Sequence, residues 1–523
     1  MQQLTHKQFY ILHSWMGIVA GILLFVICYT GALAVFASPY LKTWANPELH
    51  SYQEISPDAI EQLVLSHAQT LPPEYQQSID IFFPAVRRSV NLEIHFSAER
   101  ETEAGQFRRH TIVFEHDPVS LLLQRKIEGS AEALYQQRQQ DFSDFFITFH
   151  ADLNLGSPWG LIITGLAGLI LLSSIVSGVA IHPKIIKELF TFRPFRSLRL
   201  LWTDAHKVFG VWGMLFHSII GFTGAYLGFA AVVLVPASVL VSFQGDYQAM
   251  VSAVLPDITP VLSGEVMHIE ISNALQALQE KNPGDVVSIS LLGGADSNAV
   301  VIANTLPGQH VNPVMLEFRA QGGTYQQSHT TFGRISGSGA VLDVIEPLHF
   351  GNFGGLLVKV LWGVLGMSTA FVSFSGMMIF IERRAYGSVG QLGNTSYLRM
   401  SRFVIGACFG LIAASLLLFL HQPLKQYFMP VSMAWVFFGS WLVAIVWAMS
   451  RANEYLAARQ LLCFIAFILL ALPFVNGFNP FTHTWSAANS SAFMVLAVDA
   501  VLFILGLMVY KLSRRIPLQR EPA

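Results

Sequence analysis

Charge is scarce in this chain: 31 Lys and Arg with 33 Asp and Glu are only 12% of its 523 residues. Soluble domains carry roughly 25%. With 53% hydrophobic residues, that scarcity excludes both a soluble globular protein and a disordered one. The net charge of −2 gives no electrostatic reason for a nucleic-acid partner. Cysteine is scarce too. Cys28, Cys408 and Cys463 lie inside apolar runs, which leaves no disulfide framework, no C-x-x-C redox pair and no C-x-x-C-H site for covalent haem. No G-x-G-x-x-G follows a strand-like run, so the chain has no dinucleotide- or flavin-binding domain of its own.

What the chain does have is long apolar runs. Crossing bilayer hydrocarbon takes about 20 apolar residues as a helix. Such runs occur at Trp15–Ala37, Trp159–Ile181, Val208–Val235, Val360–Ile381, Phe403–Leu420, Val431–Met449, Leu461–Val475 and Ala492–Tyr510. The seventh is short and the eighth contains Asp499. The first is too long for a cleaved signal peptide and reads as a retained anchor. The expectation is an α-helical integral membrane protein of about eight transmembrane helices. Basic residues orient it. Lys184, Lys187, Arg193, Arg196, Arg199 and Lys207 follow the second run; Arg383, Arg384, Arg399 and Arg402 follow the fourth; Arg451 and Arg459 follow the sixth; Lys511, Arg514, Arg515 and Arg520 follow the eighth. Opposite connections hold only Lys425 and a neutral stretch at Asn479–Asn489. Both termini are therefore expected inside.

The organisation expected is helix 1 in residues 1–37, an outer module in 38–158, and helices 2 and 3 with a basic inner loop in 159–235. A second outer module in 236–352, helix 4 in 353–385 and a four-helix extension in 386–523 follow. Each outer module reads as α+β. The first has a helical pattern at Pro57–Thr70 and strand-like runs at Val90–Phe96 and Thr111–Phe114. The second repeats the order: Ile271–Lys281, a turn at Asn282-Pro283-Gly284, then Val286–Leu292 and Ala299–Asn304.

The membrane runs repeat as well. His13 and Gly17 in the first correspond to His206 and Gly210 in the third, and Thr30-Gly31-Ala32 corresponds to Thr223-Gly224-Ala225. The second and fourth runs are each preceded by a histidine, His150 or His349, and each carries Ser-Gly near its inner end, at 177–178 or 375–376. Two like-oriented units imply a pseudo-twofold axis along the membrane normal. That pairs His13 with His206 near the inner face and His150 with His349 near the outer face. His217 breaks the symmetry, because Leu24 is its counterpart. Eleven residues beyond His206 on a continuous helix, it would lie about 20° past three turns and about 16.5 Å along.

Imidazoles projecting from facing helices supply the two axial nitrogens of a low-spin haem iron, and an intramembrane histidine is a functional candidate by default. The competing reading, an interfacial residue at a helix end, applies to His13 or His349 taken alone and is adopted for His182, His268, His310 and His421. Zinc has less support. No two of the paired histidines share i, i+3 or i, i+4 spacing, and no carboxylate or thiolate accompanies them.

At these residues the sequence resembles the PepSY-associated transmembrane helix family, often described as iron-regulated inner-membrane proteins. The matching stretches are 12–33, 177–185, 190–225 and 347–367, and the outer modules resemble PepSY domains at 116–126 and 271–291. The resemblance covers roughly residues 1–385 and stops before the last four helices. It implies a di-haem b reductase of ferric siderophores in a bacterial inner membrane, with two haem b groups held by His13, His206, His217, His349 and His150. The electron donor would be quinol or a separate cytoplasmic reductase, and the siderophore would be met on the periplasmic side. His217 could take the outer haem in place of His150. Arg138, Phe145, Phe146, Tyr325 and Phe350 are candidates for the floor of a chelate site. Two other classes compete: a non-enzymatic PepSY regulator of a peptidase, and a siderophore transporter built on the twofold repeat.

Overall fold

The computed structural model describes residues 5–45, 55–83, 91–101, 107–137, 142–185, 187–188, 190–193, 198–254, 258–281, 286–305, 314–330, 338–385, 395–424, 427, 431–478 and 490–519. Arg138, Arg196, Arg520, His310, Lys425, the expected turn Asn282-Pro283-Gly284 and Asn479–Asn489 lie outside them. The chain divides into two compact units. One comprises Met1–Pro47, Phe142–Val235 and Val360–Ala523; the other comprises Glu48–Asp141 and Pro236–Lys359.

The first unit is helical. Among the described residues, six helices are long and apolar enough to cross a membrane: Trp159–Ala180, Met214–Ser242, Gly355–Ala385, Thr395–Leu424, Glu454–Gly477 and Phe493–Arg515. A pair, His6–Val19 and Gly21–Ala34, makes a seventh if counted as one span, and it bends by 63°. The expected single first helix is thus broken, at Ala20. The seventh run, expected to be short, forms a full 24-residue helix, whereas Met433–Met449 has 17 residues.

The repeat is written in the backbone. A second break falls at Gly213, between the helices Leu198–Trp212 and Met214–Phe229. Single π-helical turns follow at Ala37–Leu41 and Ala230–Leu234. The same offset of 193 residues relates His13 to His206, Ala20 to Gly213 and Ala37 to Ala230 (206 − 13, 213 − 20, 230 − 37). The break at Gly213 also corrects the expected stacking of His206 and His217. They stand on two helices, so the eleven-residue arithmetic of one straight helix does not apply.

Glycine sets the tightest packing. A Cβ on Gly168 would lie 2.7 Å from the Gly221 carbonyl oxygen, and one on Gly228 would lie 2.6 Å from the Gly165 Cα. Only hydrogen atoms at these positions let the two helices pack backbone to backbone. The later helices bury an apolar core that includes Cys408, Leu411, Ala414, Ile465 and Leu472. Phe142, Phe145, Phe146 and Phe149 join that core with Phe419 and Phe437. Phe145 and Phe146 are fully buried there, so they pack the interior and do not floor a chelate site. Asp499, 4% exposed, accepts hydrogen bonds from Trp44 Nε1 at 2.8 Å and Asn476 Nδ2 at 3.4 Å. A carboxyl group buried in an apolar span needs such donors.

The second unit is built on one antiparallel sheet, ordered β4-β3-β2-β1-β5-β6-β7-β8. Its strands are β1 Ser78–Phe82, β2 Leu92–Glu101, β3 Phe107–His116, β4 Leu123–Ser130, β5 Val286–Leu292, β6 Val300–Thr305, β7 Met315–Arg319 and β8 Tyr325–His329. The two stretches expected as separate modules therefore share a sheet, joined at β1 and β5. Across that seam Ile79 faces Leu291 and Ile81 faces Ile289, all buried. The helices Pro57–Ala68 and Ser272–Lys281 contribute Ile60, Val64, Leu275 and Leu278 to the same core. Glu61 Oε2 accepts from Ile271 N at 2.7 Å and Ser272 N at 2.8 Å, capping the second helix with a carboxylate from the first.

His67, on Pro57–Ala68, stacks on Phe114 and bonds His116, with 2.8 Å between their Nε2 atoms. His116 Nδ1 lies 2.8 Å from the Leu121 carbonyl oxygen. A carbonyl can only accept, so His116 Nδ1 donates to it, and across the pair His67 Nε2 donates to His116 Nε2. Burial, then the neighbouring His116 and Lys126, push the His67 pKa down to about 4. Between about 4 and the ordinary 6.5 the unfolded chain binds more protons, so stability rises with pH across that window and is lost as pH falls through it. Thermal unfolding of the full protein at several pH values in that range should show this slope. His67→Gln should flatten it, and an unchanged slope would contradict the assignment.

Candidate functional site

Two histidines from equivalent helices meet in the first unit. His13 lies on His6–Val19 and His206 on Leu198–Trp212. Their ring centroids are 6.2 Å apart and their planes cross at 78°. His13 Nδ1 lies 3.0 Å from the Ser174 carbonyl oxygen and 3.1 Å from Ser177 Oγ. His206 Nδ1 lies 3.0 Å from the Val372 carbonyl oxygen and 3.1 Å from Ser375 Oγ. A carbonyl can only accept, so each Nδ1 carries the proton and each Nε2 keeps the lone pair. Gly178 and Gly376 seat the rings. A Cβ would stand 3.2 Å from His13 Cε1 in one case and 3.1 Å from His206 Cε1 in the other.

The start of Leu198–Trp212 is held by charge. Asp204, fully buried, accepts from Arg193 Nε and Nη2 at 2.9 Å each and from the Arg193 backbone N at 3.0 Å. Lys207 lies 3.6 Å from Asp204 and bonds Glu188 at 3.0 Å. A two-pronged Arg–carboxylate pair is both strong and directional, so it fixes the turn from which His206 projects.

His150, on Phe142–Asp152, places Nδ1 2.9 Å from the Ile27 carbonyl oxygen. Gly31 explains the Thr-Gly-Ala motif of the first span: a Cβ there would lie 2.7 Å from His150 Cε1. His217 is 2% exposed, and its ring lies back over Gly213, where a Cβ would meet Nε2 at 2.3 Å. His349, in the last turn of Ser338–Phe350, belongs to the second unit and packs against Phe350. Of the five predicted ligands, the structure brings His13 and His206 together and sets His150 on the first span.

Several features fit an apolar macrocycle with two axial imidazoles. A metal bound to imidazole nitrogen at about 2.0 Å lies about 3 Å from the ring centre, so two imidazoles on opposite faces of one metal have centroids about 6 Å apart. The 6.2 Å of His13 and His206 matches that spacing. Ser174 Oγ, Trp202 Nε1 and His217 Nε2 are buried without a hydrogen-bond partner among the described residues. Such atoms cost about 1–3 kcal/mol each if left unmet. No group of three or more His, Cys, Asp or Glu side chains among the described residues could hold a bare metal ion.

The serine partners, Asp204 with Arg193, and Trp44 with Asp499 were not assigned roles from sequence. The Ser-Gly repeat was the signal for the first; the others join residues with no spacing rule.

The chain belongs to the family described as the PepSY-associated TM region, whose model matches residues 10–383. All five histidines fall inside that match, and the last helices lie beyond it. An uncharacterized protein of Pseudomonas aeruginosa is 26% identical over 293 residues, 54% of this chain and 72% of that protein.

Gly31→Val should force the His150 ring from its seat. Overpacking of this kind costs typically 1–3 kcal/mol, read as a lower thermal midpoint in detergent. Gly17→Ala is the control, since nothing lies within 4 Å of a Cβ there. Equal effects from both would contradict the seat.

Proposed function

We propose that this protein is an inner-membrane haem b oxidoreductase that passes electrons across the membrane to ferric iron in a periplasmic siderophore, releasing Fe(II). One observation carries the reading: two equivalent histidines with centroids 6.2 Å apart, each with its Nδ1 proton on a carbonyl and a hydroxyl of a neighbouring helix. Family membership is consistent with it.

In this reading eight helices span the membrane: the six long ones, the bent pair and Met433–Met449. Arg383 and Arg384 close one helix and Arg514 and Arg515 another, which supports an orientation with those ends and both termini in the cytoplasm. The two halves of the sheet are PepSY-like modules on the periplasmic side. His13 and His206 would hold one haem b, and His150 and His217, in the same unit, are candidate ligands of a second. Bound there, haem b supplies one-electron transfer. The chain would contribute the imidazole nitrogens, fix their tautomers and surround them with apolar helices that keep water out. The sheet unit selects the chelate, and reduction releases iron because hard oxygen ligands hold ferrous ions less tightly than ferric. Electrons enter from quinol or from a cytoplasmic reductase.

Protein made with sufficient haem should give more than one equivalent of haem b per chain by pyridine haemochrome. After dithionite reduction and removal of excess reductant, a ferric siderophore should reoxidise it anaerobically. Protein without haem would end this reading and leave the regulator or the transporter.

A further inference from the structure

We propose that Ser177 and Ser375 are positioning residues whose hydroxyls set how strongly His13 and His206 donate to a bound haem iron; this rests on the haem reading above. Both serines are buried, at 1% and 0% exposure. A hydroxyl has one proton and two lone pairs. Ser177 Oγ donates its proton to its own helix, with the Ser173 carbonyl at 2.8 Å, and Ser375 Oγ donates to the Val372 carbonyl at 3.0 Å. With those protons committed, each oxygen can only accept from the imidazole 3.1 Å away. Each Nδ1–H is thus shared between a carbonyl and a hydroxyl.

Serines in membrane helices commonly bond back to their own helix, and that alone would give a structural role. Two further facts go beyond it. The arrangement occurs twice with the same pair of distances, on helices equivalent by the repeat. In both cases the next residue is a glycine whose missing Cβ leaves room for the ring, at 178 and 376. Hydroxyl and notch together form one seat for an imidazole. Acceptors on the far nitrogen of a ligating histidine raise its basicity and fix its orientation. A more basic ligand favours ferric over ferrous iron, and hydrogen bonding to the ligating groups is one lever on a haem's potential. The serines therefore keep this haem strongly reducing.

The test uses full-length, haem-loaded protein carrying Ser177→Ala, Ser375→Ala, both, or the matching Thr substitutions. Redox potentiometry should show the midpoint of one haem shifted upward in each Ala variant and further in the double variant. The low-spin electron paramagnetic resonance signal of the same haem should change. Threonine, which keeps the hydroxyl, should restore both readouts. An unchanged midpoint and signal in a haem-containing double Ala variant overturns the inference. If the Ala variants lose haem, Thr variants that do not recover it with the wild-type midpoint overturn it as well. Wild-type protein that binds no haem defeats the functional reading itself, so the two failures are distinguishable.

Discussion

A histidine inside a membrane helix bundle must put its N–H on an acceptor, because hydrocarbon offers none. His13 and His206 both put it on the neighbouring helix, at a carbonyl and a serine hydroxyl. That single interaction decides the tautomer, the ring orientation and which nitrogen remains able to bind a metal. Much of the first unit serves it. Gly178 and Gly376 admit the rings, Asp204 and Arg193 anchor the helix that carries His206, and the helices that carry the histidines are interrupted at Ala20 and Gly213, seven residues after each (20 − 13, 213 − 206).

The duplication explains why these features come in pairs. A pseudo-twofold arrangement presents the same surface from both halves, so a ligand on the axis receives one residue from each. In the first unit the shared element is the facing imidazole pair. In the second it is the antiparallel pairing of β1 with β5, the equivalent first strands of the two halves. The departures from symmetry mark where the halves have separate tasks. His217 stands where the other half has Leu24, and Ser174 stands where it has Val372.

Much of this was legible in the sequence because the relevant signals are local or repeated. Apolar length located the six long apolar helices, alternation located β5 at Val286–Leu292, and the repeat matched His13 with His206, whose rings meet. What was missed depends on tertiary context. Hydropathy averages over a window and does not register a break at one residue, so the breaks at Ala20 and Gly213 were invisible. Alternation identifies a strand but not its neighbour, so two modules were expected where one sheet forms. The Phe145 and Phe146 side chains were candidates for a ligand surface, yet they face the aromatic core around Phe437. The Trp44–Asp499 bond joins residues 455 positions apart, a separation that no spacing rule reaches.

The central claim is that His13 and His206 hold the same iron. Low-temperature electron paramagnetic resonance of the oxidised, full-length protein tests it most directly, comparing wild type with His13→Ala and His206→Ala. The wild type should show two low-spin signals typical of bis-imidazole ligation. Either substitution should remove the same one of them and leave the other in place. Loss of different signals in the two variants, or retention of both signals in either, would contradict the pairing.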